Sequence, residues 1–431
     1  MENNIKYSKI INKTIKDAVE YENINSKPNS GIWFSLKKNI LNAKNTLAYN
    51  IINRGKIFDY NSYNYVHLFH SSYYLKKEED QIKFEKKFQK IIYFSYRKNY
   101  PIQINYKNNS VFTSDCGWGC MIRSSQMILG RAIYKILRKN NEIDRALKLT
   151  INLFLDYPDD ERRIGNIFSN YYKTITNQLN INHSLNKKIY MPFSIRNICN
   201  MGEIVDKTCG EWFSDANLPL IYNIINTNMN VIPNLKIINF TSHIILKNII
   251  EKCFKKIDSI INTEDKKIDY IVFNNEQYTF ENMGLLFISV RLGINNISEN
   301  YIDSIKQLFS CKQFLGFIGG KNNEANYFIG YNEKNILSLD PHFSQESIIP
   351  PINEDNINSY IQKTLFQIPF TKLKPAFTMA FLFTDIFQFN DLVNFFDEYS
   401  LLKFPCFSVE EGNNSFLKLS YSFMNNSKND F

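Results

Sequence analysis

No stretch of this 431-residue chain reaches the roughly 18 consecutive apolar residues that a membrane-spanning helix requires. Cysteine is sparse and scattered: seven residues, with no Cys-x2-Cys pair, so neither a zinc site nor a disulfide framework is indicated. Glycine is scarce at 15, while Asn, Lys and Ile recur throughout. Arginine-rich runs and basic–aromatic alternation are missing, so the net charge of +9, spread in short lysine pairs, does not indicate nucleic acid. Met1-Glu2-Asn3-Asn4 leads into a polar, lysine-rich stretch rather than the apolar core of a secretory signal. A reducing cytoplasm with free thiols is the expectation.

What is present is ample core material: 44% hydrophobic residues, 15% of the chain being aromatic. Residues 1–60 read as a basic, Asn/Lys-rich extension. Its apolar residues recur at helical spacing (Ile11, Ile15, Val19, then Trp33, Leu36, Ile40), the pattern of helices packed on a main domain rather than on a membrane. Residues 61–400 form the main domain and 401–431 a tail. Within the domain, the spacing predicts helices over 78–96, 120–136, 298–309 and 391–399. Short apolar runs predict strands over 285–292, 314–318, 326–331, 336–339 and 377–383, and polar stretches near 177–190, 255–283 and 346–362 read as loops or insertions. A helical first half and a strand-rich second half imply an α+β fold, a buried helix packed on a mostly antiparallel sheet.

The most informative segment is Thr113-Ser114-Asp115-Cys116-Gly117-Trp118-Gly119-Cys120, which delivers Cys120 to the mouth of an apolar helix. Unpaired N–H groups at a helix N-terminus favour a thiolate, the nucleophilic form of cysteine. Gly117 and Gly119 allow a tight turn there. Of five histidines, only His342 follows a predicted strand with a carboxylate two residues before it. Side chains at i and i+2 of an extended chain share a face, so Asp340 can orient one ring nitrogen while the other faces a thiol. His67 and His70 are expected to be exposed or packed on aromatic rings, His183 lies in a polar stretch, and His243 is expected to be structural. Cys120 with Asp340 and His342 makes a cysteine hydrolase, without metal or organic cofactor.

These motifs, with the upstream Phe94-Ser95-Tyr96-Arg97-Lys98-Asn99-Tyr100-Pro101, the Gly210-Glu211-Trp212-Phe213 segment and the stretch over 314–345, resemble the autophagins, cysteine proteases of autophagy. The resemblance covers residues 61–400 in the same motif order. It implies a papain-like fold with Cys120 as nucleophile, Asp340 as orienting carboxylate, His342 as base and Tyr96 in the oxyanion hole. It also implies that Trp212 gates the substrate. The implied partner is the ubiquitin-like autophagy modifier, free or conjugated to phosphatidylethanolamine, cleaved after its C-terminal glycine, with transient membrane-surface contact and no nucleic acid. Two alternatives are a protease of the ubiquitin-fold modifier, which shares Gly-Trp-Gly-Cys and Asp-Pro-His, and a non-catalytic modifier-binding scaffold. Cys116 and Ser124 depart from the family pattern: Cys116 adds a second thiol near the site, and Ser124 stands where many members carry a cysteine. Phe416-Leu417-Lys418-Leu419 and Tyr21-Glu22-Asn23-Ile24 have the aromatic-x-x-aliphatic form that adds a strand to a partner.

Overall fold

The computed structural model describes residues 56–59, 62–100, 104–105, 111–156, 191–257, 269–321, 324–350, 352–361 and 364–410. The helical stripes of the extension, both aromatic-x-x-aliphatic segments, His183 and the stretch over 177–190 lie outside the described residues.

A ten-stranded sheet organises the protein. Its main path runs through Lys56–Ile57, Phe366–Pro369, Asn335–Leu339, Glu324–Tyr331, Phe314–Lys321, Ala376–Phe383, Met283–Arg291 and Leu235–Thr241. All neighbours on this path are antiparallel except the last pair. The hairpin Tyr65–Leu68 and Ser71–Tyr74 joins through Glu324–Tyr331. Alternation along the strands divides the core between two faces. Leu285, Phe287, Ala380 and Leu382 face the Cys120 helix. Leu286, Ile288, Val290, Phe377, Met379, Phe381 and Phe383 face the layer that includes Leu246–Cys253 and Ile386–Ser400. The fold is therefore α+β and mostly antiparallel, with the helix Cys120–Leu137 buried on one face of the sheet.

Fourteen of the 18 residues in that helix are buried. Such a helix takes its position from packing all round rather than from one stripe. Gly130 lets it approach Phe94, whose ring lies 3.1 Å from where a Cβ would stand.

Five predicted strands are present with slightly different ends, and the helix predicted over 391–399 starts earlier, at Ile386. The stretch over 298–309 divides into a 3-10 turn, Glu299–Tyr301, and the helix Ile302–Leu308. One reading needs correction. The helix predicted over 78–96 is Glu78–Phe88 only. Beyond it, Ile91, Ile92, Tyr93 and Phe94 are all buried, and consecutive branched and aromatic residues are better accommodated in extended chain with both sides covered. Of the polar stretch over 255–283, read as a loop or insertion, the described residues carry a small sheet of their own: Phe254–Lys256, Tyr270–Phe273 and Glu276–Phe280 make a separate three-stranded sheet. Its hairpin turns at Asn274 and Asn275, both at positive φ, a signal the sequence carried. Within 346–362, Asn353 caps the short helix Glu354–Ile357.

Near the C-terminal end, Ser408–Glu410 pairs in parallel with His243–Ile245. His243 binds there through both ring nitrogens, to Ser408 Oγ at 2.7 Å and to Glu410 at 2.9 Å. Among the described residues no helix is long and apolar enough to cross a membrane.

Candidate active site

Cys120 is the first residue of its helix and is fully buried. The preceding turn is closed by the Asp115 carbonyl, which accepts from the N–H groups of Trp118 (3.3 Å) and Gly119 (2.9 Å). Gly117 adopts φ 85°, open to glycine at little cost. A side chain at Gly119 would place its Cβ 2.7 Å from that of Asp115. No side chain caps the helix and no acidic residue lies in its first turn, so its N–H groups and positive end are left to the site.

The turn is pinned by a buried ionic group. Arg123 Nε donates to Asp115 Oδ2 at 2.5 Å, and its Nη2 donates to Asp156 at 2.7 Å and to the Tyr100 hydroxyl at 3.2 Å. The other oxygen of Asp115 accepts from the Arg97 N–H at 2.6 Å. Breaking such a pair from one side leaves an uncompensated buried charge. Sequence reading passed over Asp115 and Arg123. Their i, i+8 spacing across a turn and a helix start gives no periodic signal, although a charged residue inside an apolar helix was a hint.

The strand Asn335–Leu339 ends in the Asp340-Pro341-His342 turn. One oxygen of Asp340 accepts from both the His342 N–H (2.9 Å) and His342 Nδ1 (2.5 Å), which fixes the ring and leaves Nε2 for the thiol. Two tyrosines grip this turn. The Tyr93 hydroxyl donates to the Asp340 carbonyl at 2.6 Å, and the Tyr96 N–H donates to the Pro341 carbonyl at 2.9 Å. The Tyr96 ring meets His342 edge-on, centroids 5.3 Å apart. The Tyr96 hydroxyl is buried beside Cys120 and makes no hydrogen bond of ordinary geometry. Arg97, next in line, is buried under Tyr360 and donates to Glu346 and Ser359, holding the Tyr96 segment in place.

Burial lowers the pKa of His342, but the Asp340 carboxylate and the Cys120 thiolate outweigh it and bring the imidazole up to about 9. Burial, then the charge of Cys120, pushes Tyr96 well above the usual phenol range, so its hydroxyl stays a donor. Five other thiols are raised. Burial, then Asp115, raises Cys116, which donates to Ser344 Oγ at 3.3 Å. Burial raises Cys199, and it brings Cys253, Cys311 and Cys406 to about 12. A protonated, hydrogen-bonded Cys116 is a poor nucleophile. The Ser124 hydroxyl is buried without a partner.

Trp212 is half-buried against the same core as Cys120. Its segment is shaped by Gly210 at φ 91°, where a Cβ would come within 2.5 Å of the Phe112 ring. Phe112 in turn stacks edge-on against Trp118 at 5.6 Å. Phe112, unnoticed in the sequence, therefore links the Trp212 segment to the turn before Cys120. The structure thus brings Cys120, Tyr96, Asp340 and His342 together, with Trp212 on a segment tied to the same turn. Among the described residues no three His, Cys, Asp or Glu side chains converge as a metal site.

Residues 81–395 match the family model described as the peptidase C54 catalytic domain. The chain belongs to the peptidase C54 family. It is thus a cysteine peptidase of the autophagin type, with the papain-like fold that the motifs implied. Among similar C54 proteins, the cysteine protease atg4 of Dictyostelium discoideum is 26% identical over 74% of this chain and 53% of its own length. The cysteine protease ATG4B of Gallus gallus is 26% identical over 74% of this chain and 78% of its own. The cysteine protease ATG4D of Xenopus laevis is 24% identical over 80% and 75%. The chain thus spans about half of the first relative and about three quarters of the other two.

Proposed function

We propose that this peptidase cleaves after the C-terminal glycine of a ubiquitin-like autophagy modifier, both to mature its precursor and to release it from phosphatidylethanolamine. The observation that carries the reading is the placement of Cys120 at a helix mouth between the Tyr96 hydroxyl and the Asp340–His342 pair. Cys120 attacks the glycine carbonyl to give a tetrahedral oxyanion, which the Tyr96 hydroxyl and the Cys120 N–H stabilise as it forms. Collapse to the thioester breaks the C–N bond, and the His342 imidazolium gives its proton to the departing amine. Water then attacks the thioester with His342 as base, returning the thiol and freeing the glycine carboxylate. The amine is a peptide in maturation and the lipid headgroup in release, so one site serves both reactions. Trp212 narrows the approach so that only glycine threads past it.

The reading places the protein in the cytoplasm, where its seven unpaired cysteines would stay reduced. The test is incubation with the autophagy modifier carrying a C-terminal extension, in parallel with a ubiquitin-fold modifier carrying the same extension, followed by mass spectrometry of the products. Cleavage of the first after glycine, abolished by Cys120→Ser, is the expected result. Cleavage of only the second would transfer the protein to the other modifier, and binding without cleavage would make it a scaffold.

A further inference from the structure

One row of paired residues crosses the sheet at the level of the active site. Leu339, which precedes Asp340, pairs with Tyr327, Tyr327 with Ile318, and Ile318 with Thr378. The row continues from Thr378 to Ser289 and from Ser289 to Thr241. Thr378 thus stands three strands from the catalytic turn, about 14 Å away. Leu339, Tyr327 and Ile318 belong to the core that faces the Cys120 helix. Thr378 alternates with Ala380 and Leu382, and Ser289 with Leu285 and Phe287, so both hydroxyls are on that same face. Along this row the face changes from apolar to polar, and a carboxylate meets it there.

Thr378 is fully buried, and its Oγ1 donates to Asp215 Oδ2 at 3.0 Å. The Ser289 hydroxyl lies 2.7 Å from Thr378 Oγ1. Thr378 has one hydroxyl hydrogen and gives it to the carboxylate, so Ser289 is the donor in the second bond. Asp215 therefore orders two hydroxyls on two neighbouring strands. Among the described residues it has no ion-pair partner. Burial raises its pKa, against the opposite pull of the Thr378 bond and the Asp215 and Ala216 N–H groups. An acid just before a helix is well suited to capping it. Here Ser214 Oγ takes the Asn217 N–H at 3.2 Å, and Asp215 reaches across to the sheet instead.

Asp215 follows Trp212 by three residues, a span of at most about 11 Å. Between them Phe213 is fully buried, its ring 2.9 Å from where a Cβ of Gly202 would stand. The segment before Trp212 is held by the packing of Gly210 on Phe112. These apolar contacts fix depth, but burial is non-directional, and the bond to Thr378 is directional. We propose that Asp215 is a positioning residue: through Thr378, itself set by Ser289, it holds Trp212 at the spacing that admits glycine and excludes a larger residue. The proposal rests on the reading of Trp212 as the gate for glycine. Asp215 itself touches no reacting atom.

The experiment compares kcat/KM of the full chain on soluble modifier fusions carrying Gly or Ala at the cleavage position. Asp215→Ala and Thr378→Val should each lower the Gly-to-Ala ratio about three- to tenfold, part of what a steric filter gains from one methyl. Thr378→Ser keeps the hydroxyl and should hold the ratio within about twofold. Ser304→Ala removes a hydrogen bond to the Phe404 carbonyl, away from this row, and controls for lost stability with the ratio unchanged. Added to Trp212→Ala, Asp215→Ala should lower the ratio no further, because both act through one side chain. A second readout needs no cleavage: fluorine NMR of the fluorotryptophan-labelled protein, with the Trp212 resonance assigned by Trp212→Phe. Asp215→Ala should shift or broaden that resonance and leave the Trp118 resonance in place. Should Asp215→Ala fail to fold, Thr378→Val carries both comparisons. If Trp212→Ala lowers the ratio while Asp215→Ala and Thr378→Val do not, the gate stands and the proposal is overturned. If Trp212→Ala itself leaves the ratio unchanged, the gate reading falls and the role of Asp215 in selection falls with it. An unmoved Trp212 resonance in both variants overturns the positioning role in either case.

Discussion

Asp115 accepts the backbone N–H of Arg97 at 2.6 Å, and through that bond the turn presenting Cys120 is locked to the segment carrying Tyr96. The same carboxylate holds Arg123 inside the Cys120 helix. One side chain thus sets the relative position of thiol and phenol, although it touches neither substrate nor reacting atoms.

Asp115→Asn should lower kcat about tenfold or more on a glycine-ending substrate while leaving KM within a few fold, because binding uses a protein surface and chemistry uses the aligned pair. Asp156→Asn removes a carboxylate from the same arginine without touching Arg97. It should reduce thermal stability similarly and kcat much less. Equal losses of kcat in the two variants would reduce Asp115 to a stabilising role.

Alkylation should mark Cys120 first. Iodoacetamide followed by peptide mapping should label it well ahead of Cys116, whose thiol donates to Ser344 and is held protonated by desolvation and then by Asp115. Cys116→Ser should leave kcat within about twofold, since only the thiolate form of a cysteine is strongly nucleophilic. Preferential labelling of Cys116 would reverse the assignment.

The pH profile of kcat/KM should fall on its alkaline side near 9, where His342 loses the proton it gives to the leaving amine. Because the folded-state pKa is raised, the imidazolium contributes stability that is complete below the ordinary histidine value and is lost as pH rises through about 9. Asp340→Asn should move the alkaline limb to lower pH and cut the rate. A limb that stays in place would mean that the carboxylate does not govern the imidazole.

Trp212→Ala should slow cleavage after glycine and relax rejection of alanine at the same position. A steric filter discriminates one methyl by about 1–3 kcal/mol, so selectivity should fall by about ten- to a few hundred-fold at most. Kinetics on paired Gly and Ala substrates measure it, and unchanged discrimination would return Trp212 to a packing role.

The local chemistry of this protein is legible in one dimension. The Gly-Trp-Gly turn before an apolar helix and the i, i+2 spacing of Asp340 and His342 depend on short-range backbone geometry, so their residues could be singled out without a fold. The strands over 285–292 and 377–383 were readable for the same reason: strand periodicity and apolar runs are local. What the residues cannot state is how segments more than two hundred positions apart meet. Only the tertiary structure placed Tyr93 and Tyr96 on the Asp340-Pro341-His342 turn, and it ended the first helix at Phe88 because the following residues are covered on both sides. It also assembled Asp115, Arg123 and Asp156 into one buried group. Long-range pairing and burial decide such arrangements, since the energy of a charge depends on what surrounds it rather than on its neighbours along the chain.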